Sequence, residues 1–172
     1  MPNNDVNLTP AEALNIAAER LSIVRYVFLV QIEDGIASAS QRSSLEYADA
    51  VLMGWPDADA RDVTLPDESA FENVLECMRR MEEHIAKFSE LEREHDIDAM
   101  TAILPRITEA VAGIRSAYQP DFPLPTFIEI QRVVQDEWNE EMGNINPDGA
   151  NVASGLVNET QAEDKESETY ES

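Results

Sequence analysis

Residues 9–33 read TPAEALNIAAERLSIVRYVFLVQIE, and whether this run is one helix or a helix and a strand decides the fold class. Its opening favours helix. Thr9 can cap, Pro10 suits the first helical position, and Glu12 completes a capping box. Leu14, Ala17, Ala18, Leu21, Val24, Phe28 and Ile32 then recur at helical spacing. The competing feature is the stretch Ile23 to Ile32, rich in β-branched and aromatic residues that also suit a strand. The cap and the length of the pattern outweigh it, and helix 1 is predicted over 10–33, ending before Gly35.

The remaining chain repeats the helical period. Leu45, Ala48, Val51 and Leu52 predict helix 2 over 38–53, stopped by Gly54-Trp55-Pro56. A polar connection with Asp57, Asp59 and Asp62 runs to Pro66. Helix 3 is predicted over 67–94, where Phe71, Met78 and Ile85 lie seven apart and Val74, Met81 and Phe88 form a parallel series. Such a narrow seam is that of helix-on-helix packing. Ile97, Met100, Leu104, Ile107, Val111, Ile114 and Tyr118 extend a similar seam, so helices 3 and 4 form an antiparallel hairpin. Pro105 falls inside helix 4 and is expected to kink or split it. Three prolines between residues 120 and 125 end the pattern, and a second capping box, Thr126 to Glu129, opens helix 5 over 127–142.

These elements predict an all-α, four- or five-helix up-and-down bundle with a disordered acidic C-terminal tail. Three parts are expected: a flexible N-terminus at 1–8, a helical domain at 9–143 and the tail at 144–172. In the bundle, helix 1 is expected to be central and helix 5 to close the core. The tail carries seven acids and one base with few large apolar residues, too little to offset the entropy of ordering it. Its removal is expected to leave the thermal midpoint almost unchanged.

Composition narrows the function. The 172 residues carry 35 acids against 12 bases, a net charge of −23 and a pI near 4.1. That opposes direct nucleic-acid binding and docking on anionic lipid. The longest purely apolar run, Tyr26 to Val30, is far short of the roughly 20 residues a bilayer needs. No basic residue precedes Arg20, unlike the start of a signal peptide. A cytoplasmic protein is expected, in the host cytoplasm or virion if viral.

No arrangement of residues announces catalysis, so the chain is read as a non-enzymatic protein with no cofactor and no metal. Glu92 and His95 have the Glu-x-x-His spacing of di-metal carboxylate bundles, but Met81, not glutamate, stands three residues before the only other histidine, His84. Cys77, the one cysteine, has no base near it in sequence to activate it. Asp57-Ala58-Asp59-Ala60-Arg61-Asp62 lacks the central glycine and the ligand series of a calcium loop.

Two features rise above this background. Helix 1 is apolar around most of its circumference between Leu21 and Ile32, more than a single stripe can bury. Tyr26, Phe28 and Leu29, with Trp138 and Met142 near the end of helix 5, are the candidate partner-binding residues. They point to a protein partner or self-association, strengthened by added salt, as in a subunit or adaptor of a larger assembly. Small acidic helical chains with loose ends are frequent among bacteriophage structural and assembly proteins, so such a role is one expectation. The second feature is the density of carboxylates, twelve against four bases over residues 62–98. Set on one helical face, they would imitate the phosphates of DNA and make the chain an acidic nucleic-acid mimic that occupies a host enzyme's site. A mimic requires a continuous acidic ridge, whereas an assembly subunit requires an apolar or mixed patch.

Overall fold

The structure, a computed structural model, describes residues 8–56 and 67–145. It is all-α, with five helices in up-and-down order: α1 (Pro10–Gln31), α2 (Ala39–Leu52), α3 (Glu68–Arg93), α4 (Ile97–Tyr118) and α5 (Phe127–Ile145). The segment Ile23 to Gln31 is helical, so the cap outweighs the β-branched run. Both capping boxes form. Thr9 Oγ1 accepts from the Glu12 amide at 3.1 Å while Glu12 Oε1 accepts from the Thr9 amide at 2.9 Å. Thr126 and Glu129 make the same exchange at 3.2 and 2.9 Å. Most of the 144–172 tail and the acidic segment 57–62 lie outside the described residues. So do residues 1–7, whereas Leu8 is half-buried against the core.

The chain divides into two units between Gln131 and Arg132, within α5. In the first unit, α4 occupies the central position expected of helix 1. It packs against α1, α2 and α3, and its interface with α3 is the most extensive. Met100, Leu104, Ile107, Ala110, Val111 and Ile114 are buried along it, as are Thr101, Pro105, Thr108 and Arg115. The second group hides α4's centrality from a hydropathy reading, because three of its four members are polar. Against α4 lie Leu14, Ala17, Leu21, Val24 and Phe28 of α1, Leu45, Ala48 and Val51 of α2, and Val74, Met78, Met81, Phe88 and Leu91 of α3. In this unit α5 does not close the core. It reaches the core's rim through half-buried Phe127 and Ile130, with the Phe127 ring 5.4 Å from that of Tyr47. In the second unit, the rest of α5 carries one buried residue, Val134, and the half-buried Trp138.

The α3–α4 link is short and specific. His95 adopts φ +56°, and the amides of His95 and Asp96 return to the carbonyls of Glu92 and Leu91 at 3.0 Å each. This is the paired arrangement that closes a helix with a left-handed residue, here histidine in the usual place of glycine. Asp96 then caps α4, its Oδ1 accepting from the Ala99 amide at 3.1 Å. Further along the pair, the Cys77 sulfur lies 2.8 Å from where a Cβ on Gly113 would stand, so only glycine fits beneath that thiol.

Pro105 neither splits nor interrupts α4. Proline lacks an N–H, which leaves the carbonyl four residues earlier, that of Thr101, without its helical partner. The Ser44 hydroxyl of α2 donates to that carbonyl at 2.7 Å in a buried setting. The neighbouring helix thus supplies the missing donor.

The second polar tie is Arg115, fully buried. Its Nη1 donates to the carbonyls of Val51 at 2.8 Å and Met53 at 2.6 Å, its Nη2 to Gly54 at 2.8 Å, and its Nε to Gln119 Oε1 at 2.9 Å. The Trp55 and Phe122 rings lie 5.6 and 4.0 Å from the guanidinium carbon. A cation from α4 therefore caps the carbonyl of Val51, one of the last of α2 that the helix cannot satisfy itself, and those of Met53 and Gly54 just beyond its end.

Two outcomes follow for stability, both measurable by denaturant unfolding. Ser44→Ala is expected to lose about 1–3 kcal/mol, the penalty of an unsatisfied buried carbonyl. The loss shrinks markedly in a Pro105→Ala background, where residue 105 regains its own N–H. Arg115→Lys and Arg115→Met are each expected to lose about 3 kcal/mol or more, because an ammonium cannot reproduce the planar fork and methionine donates nothing.

Candidate docking surface

An α-helix of 3.6 residues per turn presents residues 23, 26 and 30 on one side when 21, 24 and 28 are on the other. The core face of α1 runs through Ala13, Leu14, Ala17, Leu21, Val24 and Phe28. Its opposite side in the C-terminal half carries Ile23, Tyr26 and Val30, which are 52%, 65% and 52% exposed. Three large apolar side chains in steps of three and four form a raised row about 10 Å long, at 1.5 Å per residue. Single exposed apolar residues are ordinary, but a contiguous apolar row is a feature to explain.

Of the five residues singled out from sequence, Tyr26 alone lies on this row. Phe28 is fully buried in the core, so it cannot meet a partner on the folded chain. Leu29 is half-buried against the same core. Trp138 is half-buried and Met142 is 42% exposed on the part of α5 that belongs to the second unit. Ile23 and Val30 were missed. The signal for them was present in the one-sided N-terminal half of the helix, whose stripe, extended at 3.6 residues per turn, carries 24 and 28 inward and 23, 26 and 30 outward.

The charges around the row are unequal. The two cations of the C-terminal half of α1 are engaged: Arg20 pairs with Glu82 of α3 at 3.0 Å and Arg25 with Asp49 of α2 at 2.5 Å. Glu19 precedes the row, and Glu33 and Asp34 follow it, all exposed and without an ion pair among the described residues. No basic residue stands in the last turn of α1. A helix C-terminus is the negative end of the helix dipole, where acids are unfavourable and cations favourable. The C-terminal end of the row is therefore electronegative.

The carboxylates of α3 are arranged differently. Arg79 bridges Glu76 and Glu83, Arg80 lies 3.6 Å from Glu76, and Lys87 lies 3.6 Å from Glu90. Cations thus stand among the carboxylates of α3.

Other chemistry-bearing residues are dispersed. His95 stands in the α3–α4 link with Nδ1 3.3 Å from Gln31 Oε1. Among the described residues, no three His, Cys, Asp or Glu side chains converge as a metal-ion site. Burial pushes the Cys77 thiol pKa up, away from the thiolate form a nucleophile needs. An open groove of about 580 Å³ lies between Ser38, Ser44, Thr101 and Phe127. Three of its four hydroxyls are spent on backbone groups: Ser38 on the Gln41 amide, Ser44 on Thr101 and Thr101 on the Ile97 carbonyl. No helix is long and apolar enough to cross a membrane among the described residues. No protein-family model, curated protein or solved structure matches the chain.

The two sides of α1 respond oppositely to the same substitution. Tyr26→Asp is expected to change folding stability by no more than about 0.5 kcal/mol, as at other exposed sites. Phe28→Asp buries an unpaired carboxylate and abolishes folding. Circular dichroism melts of the two variants check this.

Proposed function

We propose that this is a non-enzymatic docking protein, a subunit or adaptor of a larger assembly that engages another protein through the outer face of α1. The observation that carries the reading is the exposed row Ile23, Tyr26 and Val30. A chain with this much charge has polar residues in abundance, yet the surface of α1 displays three large apolar side chains in helical register. Fully burying one such side chain contributes about 1.5–3 kcal/mol, so covering the exposed halves of three contributes about 3 kcal/mol. That is enough to anchor a site, and Tyr26 is of the type that concentrates binding energy. The row is too small to be a whole stable interface of about 800 Å² per partner, so it is the apolar centre of a broader contact. The net charge of −23 serves solubility in this reading, and the work is done in the cytoplasm or in a virion.

The acidic-mimic alternative draws on the carboxylate count alone, and the cations paired along α3 weaken it. The two readings differ in what sustains binding. An apolar contact persists at high salt, whereas a carboxylate-to-lysine contact is lost.

The test is recovery of the native partner by the wild-type chain and by the Ile23→Ser/Tyr26→Ser/Val30→Ser variant, at 0.05 and 0.5 M salt. The expected outcome is a defined partner, retained at 0.5 M salt and lost with the variant. A partner released by salt and indifferent to the variant would overturn the docking reading in favour of the mimic.

A further inference from the structure

The row on α1 is bounded by exposed acids that make no ion pair among the described residues. Glu19 stands one turn before Ile23, and Glu33 and Asp34 stand just past the helix end, at the negative pole of its dipole. The two arginines of α1, Arg20 and Arg25, are held by Glu82 and Asp49. Whatever covers the row must therefore bring apolar side chains to its centre and positive charge to its ends.

That requirement sorts the candidate occupants. The chain's own segment 144–172 carries seven acids and one base, so it meets the rim with like charge. A second copy brings the same acids at a net −23, and two-fold pairing of α1 rows places acids of one copy around the row of the other. A basic partner segment satisfies both demands at once. The row is a raised ridge with helical spacing, which packs into the groove of another helix whose own apolar residues recur in steps of three and four.

Resting on the docking reading above, we propose that the α1 row receives an amphipathic partner helix with about two turns of apolar face flanked by lysine or arginine. The cations of that helix meet Glu19 at one end of the row and Glu33 and Asp34 at the other.

A random 18-residue peptide library selected on the full-length chain tests this, with the Ile23→Ser/Tyr26→Ser/Val30→Ser variant as counter-selection. The expected result is a set of row-dependent peptides with apolar residues at i, i+3 or i+4 and i+7 and a net positive charge. The Glu33→Lys/Asp34→Lys variant is then expected to bind them about tenfold more weakly, the sum of two rim charge pairs. A peptide of the same composition in scrambled order is expected not to bind. Row-dependent peptides without net positive charge, or binding indifferent to Glu33→Lys/Asp34→Lys, would overturn the basic-helix inference and leave the docking reading standing. Recovery of peptides equally on the variant and the wild type, or of none, would overturn the docking reading itself. Sedimentation provides the remaining arm: a dimer at micromolar concentration that the row variant dissociates would seat a second copy on α1 and refute the basic partner.

Discussion

A guanidinium with no carboxylate partner among the described residues holds α2 in register on α4. Arg115 is fully buried, and its charge is met by three backbone carbonyls, one glutamine oxygen and two aromatic rings. Desolvation lowers its pKa, but a guanidinium stays protonated in proteins, so the cost of burial must be met by hydrogen bonds. The carbonyls lie at and just past the end of α2, so one side chain caps that end and fixes it to the last turn of α4. Ser44 makes the reciprocal tie near the other end, from α2 to the carbonyl that Pro105 orphans in α4. Both ties join α2 to α4, and both use groups that are costly to leave unpaired. Hydrophobic burial is non-directional. These two contacts convert it into one alignment of α2 on α4.

With α4 as the axis, α1 packs against α2, α3 and α4 yet buries one face, through Leu14, Ala17, Leu21, Val24 and Phe28. The reading of helix 1 as central followed from counting apolar residues, nine of which fall between Leu21 and Ile32. Counting misleads because burial depends on neighbours. On α4, Thr101, Thr108 and Arg115 are buried with their polar groups bonded, Thr108 back to the Leu104 carbonyl, Thr101 to that of Ile97 and Arg115 to carbonyls at and just beyond the end of α2, while Pro105 is buried beside them. These residues depress the apparent hydrophobicity of the true centre, while Ile23, Tyr26 and Val30 inflate that of a helix with one buried face.

The legible parts of the sequence were those governed by local chemistry. The two capping boxes, the stop at Gly54 and the α3 seam through Val74, Met78, Met81 and Phe88 each depend on residues within a turn or a heptad. The all-α class and the count of four or five helices follow from them. The continuity of α4 was not legible, because it rests on a donor 57 residues away in sequence. Nor was Arg115, whose acceptors lie 61 to 64 residues away. The docking row was half legible: its apolar excess was plain, but Phe28 and Tyr26 differ only in the side of the helix they take. The register of Leu14, Ala17, Leu21 and Val24 separates them. Once Leu14 and Leu21 face inward, Phe28 must follow, and Tyr26 is turned outward.

An exposed apolar row and a large net charge are complementary in the proposed docking role. Apolar surface is promiscuous, since burial of area contributes regardless of the partner's sequence. Long-range repulsion at −23 suppresses encounters between copies and with other acidic proteins, although screening confines it to about 8 Å at physiological salt. Within that distance the acids flanking the row act as a filter. Basic segments are drawn in, and acidic ones are repelled before their apolar faces touch. The row then supplies contact energy that outlasts screening. Specificity in this arrangement comes from what the rim refuses, while affinity comes from Ile23, Tyr26 and Val30.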